Sequence, residues 1–165
     1  MNIETEKKYV IEMPDVLFLS TLENYTESEI EQIYLNTEGV THRIRRRKMG
    51  ERVVYTETEK RRISPMSVIE TEKEIDEVKY NELKKNRKEN SKILVKTRYT
   101  FDFLGHTIEI DVYPKWQKSA IMELELKSEG ESFSLPPFIK LIKDVTGLFE
   151  YSNAKMSVSF PPELI

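Results

Sequence analysis

The chain has 165 residues, 33% of them charged, with 26 Lys and Arg set against 29 Asp and Glu for a net charge of -3. That length fits one domain, residues 1–165, with a core of its own. No cysteine and only two histidines are present. Disulfides, thiolate metal centres and a histidine-rich zinc site are therefore excluded, and any metal must be a hard cation such as magnesium, manganese or calcium held by carboxylates. The N-terminus lacks a basic-then-apolar leader pattern, and no apolar run reaches membrane-spanning length, so the expectation is a cytoplasmic protein with no membrane partner.

Period-two alternation dominates the chain. NIETEKKYVIE, residues 2–12, reads as a first strand. MPDVLFLSTLENY reads as a short helix, with Pro14 near its start and Val16, Leu19 and Leu22 along one face. EIEQIYLN is the second strand. VTHRIRRRKMGERVVYTETEKRR is a hairpin, because Gly50-Glu51 suits the central places of a type II′ turn. MSVIETEKEID is a further strand, and EVKYNELKKNRKE a polar helix. KILVKTRYTFDFLGHTIEIDVY forms a second hairpin turning at Gly105-His106, and SAIMELELK is the last clear strand. PPFIKLIKDVTG reads as a helix, with Pro137 in its first turn and Gly147 as its C-terminal cap. The tail YSNAKMSVSF adds a short strand or a closing segment. About eight antiparallel strands with few helices imply a mainly β fold, a barrel or a strongly curved sheet.

One face of these strands is charged, and its signs are sorted by strand. Glu4, Glu6 and Lys8 share the first strand; Arg43, Arg45 and Arg47 share another; Thr56, Thr58, Lys60 and Arg62 align on its hairpin partner. Glu70, Glu72 and Glu74 follow, then Lys96 with Arg98, Glu109 with Asp111, and Glu123 with Glu125. A water-facing sheet surface normally mixes its charges, because like charges opposite one another destabilise the pairing. Two unit charges about 5 Å apart repel by roughly 3 kcal/mol at an effective dielectric of about 20. Repeated repulsion of that size calls for counterions: divalent cations for the acids and a polyanion for the bases. A concave face carrying both is a site for a metal-bound phosphate chain.

The sequence resembles the CYTH domains, or triphosphate tunnel metalloenzymes. Their N-terminal E-x-E-x-K signature is matched by ETEKK at Glu4, Glu6 and Lys8. EQIYL is similar to the family's Q-x-Y-L strand, HRIRRR to its R-x-R strand, YTETEK to its T-x-K strand and IETEKEI to its central E-x-E strand. KTRY, IEIDVY, MELEL and DVTGLFEYSN are similar to the later motifs, in the family's order. The departures are Ile33 where a glycine often precedes the tyrosine, Val68 where an arginine often precedes the acidic run, and PKWQKS without the usual turn glycine.

The resemblance implies an eight-stranded antiparallel closed barrel with a hydrophilic tunnel inside and helices packed outside. It also implies metal-dependent hydrolysis of the terminal phosphoanhydride of a triphosphate, with inorganic triphosphate cleaved to pyrophosphate and phosphate as the first expectation. Lys8, Arg43, Arg45, Lys60, Lys96 and Arg98 are then the phosphate ligands. Glu4, Glu6, Glu123 and Glu125 hold the first cation, Mg2+ or Mn2+, and two ions are expected with substrate bound. Glu70, Glu72 and Asp111 hold the second ion or orient the attacking water. An adenylyl cyclase making cyclic AMP, and a polyphosphate- or nucleotide-binding module without turnover, stay open as alternatives, as does a homodimer. His42 lies opposite the arginine stripe and His106 in a turn, so neither is expected to be catalytic; Tyr34 is a rim candidate and Trp116 loop packing. Residues 84–92, KKNRKENSK, have no stacking aromatics beside them, which disfavours nucleic acid as a partner.

Overall fold

The computed structural model describes residues 2–165. Its strands are β1 (Asn2–Glu12), β2 (Thr26–Leu35), β3 (Thr41–Met49), β4 (Arg52–Arg62), β5 (Ser67–Ile75), β6 (Leu94–Phe103), β7 (His106–Val112), β8 (Ser119–Leu126) and β9 (Leu141–Asp144). They form one antiparallel sheet in the order β5-β4-β3-β2-β6-β7-β8-β1-β9. Pairing of β1 with β5, from Asn2↔Glu70 to Thr5↔Ser67, closes eight of the strands into a barrel. Closure leaves no long free edge, and the alternation of each strand sends one side-chain set inward and the other outward.

The ninth strand was not expected, and it replaces the helix read over residues 136–147. β1 leaves β5 after Thr5, so its backbone groups further along need a partner on that side. β9 supplies it at Tyr9↔Asp144, Val10↔Lys143 and Ile11↔Leu141. The apolar spacing of this segment suits a strand as well as a helix, and the open edge of β1 decides between them. The first helix is also shorter than expected: α1 is the single turn Val16–Leu19. The Asp15 carboxylate caps Phe18 N, after which Ser20 and Thr21 bond back to the Leu17 and Phe18 carbonyls and the turn ends. α2 spans Glu77–Lys84, capped by Asp76. The second hairpin turns at Leu104-Gly105, one residue earlier than expected, with φ of 47° and 80°. Two successive positive φ values match the twist of the flanking strands.

The apolar faces point outward, as a hydrophilic interior requires. Phe101, Ile108, Ile110, Met122 and Leu124 carry one outer core, covered by Leu19 of α1 and by Phe138 and Ile139. Ile33, Leu35 and Ile44 carry another, covered by Tyr80 of α2. A third cluster is inside. The inward face of β1 and β8 changes from charged to apolar between the pair Lys8↔Glu123 and the pair Val10↔Ile121. Val10, Ile121, Leu94 and Tyr113 there receive Tyr151 and Met156 from the C-terminal segment, a 3-10 turn (Phe149–Tyr151) followed by α3 (Asn153–Met156). The tail is thus a closing segment. Trp116 packs in the same cluster and donates Nε1–H to the Pro161 carbonyl at 3.0 Å.

Candidate active site

The charged inner faces surround a cavity of about 440 Å³. Period-two alternation places its wall: β1 contributes Glu4, Glu6 and Lys8, β3 contributes Arg43, Arg45 and Arg47, and β5 contributes Glu70 and Glu72. Lys60, Arg98, Glu123 and Glu125 also line it. Of the candidates read from the sequence, Lys96 and Asp111 are the two that do not. They are buried in the barrel interior beside Tyr113 of the inner apolar cluster, with side chains 0% and 2% exposed and Lys96 Nζ 2.7 Å from Asp111 Oδ2.

The two sides of the cavity differ in how their charge is balanced. Asp111 accepts a fork from Arg98, Nε to Oδ1 at 2.7 Å and Nη2 to Oδ2 at 2.9 Å, and Arg98 Nη1 donates to Glu109 at 2.8 Å. Burial opposes ionisation of Asp111, but Arg98 and Lys96 outweigh it and hold the carboxyl well below the usual range. Lys8 lies 3.4 Å from Glu123, and with Arg98 it overcomes the burial of that carboxyl and holds it down at about 2. Lys60 stands 3.2 Å from Glu4 and 3.7 Å from Glu70.

The β3 arginines have no carboxylate partner among the described residues. Arg43 Nε is buried with no hydrogen-bond acceptor. Arg45 bonds only the neutral Gln32, and Arg47 Nε donates to Ser28 Oγ at 3.1 Å. Burial, with the charges of Arg43 and Arg98 nearby, pulls the Arg45 guanidinium down to about 9. Across the cavity the carboxylates have the complementary problem. Glu6 faces Glu125 in register, and Glu109 faces Glu123. Burial and then Glu123 push the Glu6 carboxyl well above its usual range. Glu125 rises to about 7 through burial and the charges of Glu109, Glu4 and Glu123. Glu70 rises to about 7 through burial and the neighbouring Glu4 carboxyl, and its Oε2 is buried without a hydrogen-bond partner.

This donor set fits a hard divalent cation: several carboxylates, held close, that repel when ionised together. Among the described residues no three of them converge on one point.

Several wall residues escaped the sequence reading or stood at its margin. Arg62, already aligned with Lys60 in the sequence but given no phosphate role, lines the wall, and Thr41 shares the inward parity of Arg43. Tyr34, read as a rim or substrate-orienting candidate, lines the cavity and is buried, 5% exposed. Ser152 and Asn153 reach it from the C-terminal segment, which no alternation pattern could announce. His42 is on the outer face, between Thr37 Oγ1 and Glu57 Oε2 at 2.7 Å each, and His106 lies 3.5 Å from Glu131.

A closed eight-stranded antiparallel barrel with this sorted, charged interior has the fold of the CYTH proteins, the triphosphate tunnel metalloenzymes. Among solved structures, the chain is similar to the inorganic triphosphatase NE1496, at 25% identity and a TM-score of 0.58 over 98% of this chain and 99% of that one. It is similar to PH1819 of Pyrococcus horikoshii at 26% identity and a TM-score of 0.57, over 76% of this chain and 80% of that one. HpAC1 of Hippeastrum, an adenylyl cyclase candidate with a dominant triphosphatase activity, shares the fold at 15% identity and a TM-score of 0.51, over 74% of this chain and 80% of that one. No family model and no curated protein matches the sequence.

Proposed function

We propose that this protein hydrolyses the terminal phosphoanhydride of a triphosphate with the help of Mg2+ or Mn2+, and that inorganic triphosphate is its preferred substrate. The observation that carries the reading is the opposition of a β3 arginine wall without carboxylate partners to facing pairs of carboxylates in one cavity. Each wall is unfavourable alone, and a metal-bound phosphate chain satisfies both. The triphosphatase NE1496, similar over nearly its whole length, supports it.

Arg43 and Arg45 bind phosphate oxygens through guanidinium forks, with Lys8, Lys60 and Arg98 as further positive contacts. Glu4, Glu6, Glu123 and Glu125 hold the cation, with Glu72 available to a second ion. When bound, the cation neutralises charge on the phosphate oxygens and the leaving pyrophosphate. Glu70, raised to about 7 and with Oε2 unpartnered, accepts the proton of the attacking water as the bond between the terminal phosphorus and the bridging oxygen breaks. Asp111 holds Arg98 in place, with Lys96 paired to the same carboxylate. The wall carries the rings of Tyr34 and Phe149 but no stacked aromatic pair to clamp a base, so binding energy comes from the phosphates.

The test is catalytic efficiency for inorganic triphosphate, pyrophosphate and ATP at matched free Mg2+ or Mn2+, with cyclic AMP followed in parallel. Inorganic triphosphate is expected to lead. A preference for ATP would overturn the substrate choice, cyclic AMP as main product would make the protein a cyclase, and binding without turnover would reduce it to a binding module.

A further inference from the structure

Arg45 is held by a neutral residue, whereas the buried cations Lys96 and Arg98 are held by acids. Gln32 is fully buried on β2, directly across from Arg45 in register. Its Oε1 accepts from Arg45 Nε at 3.1 Å and from Nη2 at 2.7 Å. A guanidinium has no acceptor, so the amide oxygen must be the atom that faces it, which fixes the orientation of the amide. The amide nitrogen then donates to Tyr34 Oη at 2.8 Å. One buried side chain thereby fixes two groups on the cavity wall. Two of the five N–H donors of Arg45 are engaged, and three remain for a ligand.

The contrast with Arg98 gives this its meaning. Arg98 is forked onto Asp111 and also bonded to Glu109, so its charge is largely neutralised within the protein. A carboxylate in place of Gln32 would keep the shape and the two bonds to Arg45 but cancel its charge. An apolar residue would leave the guanidinium buried and unheld. Only a neutral acceptor of this length both orients the cation and leaves its charge for an anion.

Resting on the triphosphatase reading, we propose that Gln32 is a positioning residue for phosphate recognition, acting through Arg45: it aims the guanidinium into the cavity while keeping it uncompensated. A purely structural amide would tolerate Gln32→Glu, since the bonds to Arg45 become charge-assisted.

The experiment compares wild type, Gln32→Glu, Gln32→Met and Arg45→Ala, and the Gln32→Glu, Arg45→Ala double variant. KM and kcat for inorganic triphosphate are measured, along with its binding by calorimetry without added metal and the thermal midpoint. The expected result for Gln32→Glu is an unchanged or higher thermal midpoint with affinity and KM weakened about tenfold or more, and kcat altered by less. In the Arg45→Ala background the same substitution should change KM by less than about twofold. Gln32→Met should also raise KM, which keeps the test in force if the glutamate variant fails to fold. Wild-type KM and affinity in Gln32→Glu, or the full effect persisting without Arg45, would overturn the positioning role alone. Failure of the wild type to bind inorganic triphosphate with or without metal would overturn the triphosphatase reading, and the inference with it.

Discussion

Each β3 residue takes its role from its parity. Arg43 and Arg45 point into the cavity, and Arg46 between Arg45 and Arg47 points out. A charge-assisted hydrogen bond contributes about 1.5–3 kcal/mol, so Arg43→Ala or Arg45→Ala should lower kcat/KM for inorganic triphosphate by roughly 10- to 100-fold. Arg46→Ala should stay within about threefold of wild type, and equal losses at all three would mean that the inward register is wrong. Asp111 is the residue whose removal should hurt the fold most. Asp111→Asn leaves Arg98 and Lys96 buried beside a neutral amide, and breaking a buried pair of this kind costs about 3–5 kcal/mol. The Asp111 carboxyl is held below its unfolded value of 3.8, so its contribution is present above about pH 4 and lost as the pH falls further toward the folded value. Chemical denaturation of both proteins from pH 7 to pH 3 should therefore show the gap narrowing only below about pH 4.

At the scale of elements, the segment from β9 to α3 does two jobs. It pairs with the part of β1 that β5 has left, and it carries Tyr151 and Met156 onto the apolar inner layer while delivering Asn153 to the cavity. The hinge between these jobs is Gly147, at φ of 73°, where an added Cβ would stand 2.8 Å from Pro65 Cβ and 2.9 Å from its carbonyl oxygen. Backbone cannot yield as a flexible side chain would. Gly147→Ala should therefore cost about 1–3 kcal/mol, from overpacking and the disfavoured φ together. Thermal denaturation checks the loss, and a wild-type midpoint would show that the loop can move away from Pro65. Asn153 accepts from Tyr113 Oη at 2.6 Å, which ties the segment to the barrel wall.

As a whole molecule, the barrel inverts the usual division between inside and outside, and the inversion has an energetic cost that its ligands offset. Glu6, Glu70 and Glu125 all sit above their ordinary range because burial and neighbouring acids disfavour their charge. Glu6→Gln should therefore keep or raise the metal-free thermal midpoint, and the Glu4→Gln, Glu6→Gln double variant should abolish turnover. Full activity in that variant would remove these residues from the cation site. For the wild type, Mg2+ and inorganic triphosphate together should raise the midpoint by more than the sum of the two alone, since each supplies part of the counter-charge the other needs. A ligand at 100 times its Kd stabilises by about 2.7 kcal/mol, which a melting curve resolves. Additive shifts would mean separate sites.

Alternation in the sequence marked eight of the nine strands and sorted their side chains into a charged and an apolar face, because period two is a local property. That the charged face turns inward was implied by the resemblance to the CYTH domains, since alternation suits a water-facing charged surface as well. Parity put Glu4 with Glu6, Arg43 with Arg45, and Glu123 with Glu125, and barrel closure brings the three pairs to one cavity. The tertiary structure decided what no local pattern encodes. Leu141–Asp144, within the segment read as a helix, is a strand because β1 had an unpaired edge at Tyr9–Ile11, a fact about residues more than a hundred positions away. Lys96 and Asp111 share the parity of the wall yet are buried beside the inner apolar cluster, where they pair with each other and Asp111 also takes Arg98, an arrangement that depends on which strands closure brings together. Gln32 reads as one polar residue in a strand. It becomes the holder of Arg45 only once β2 and β3 are in register, since a buried hydrogen bond depends on what closure places opposite.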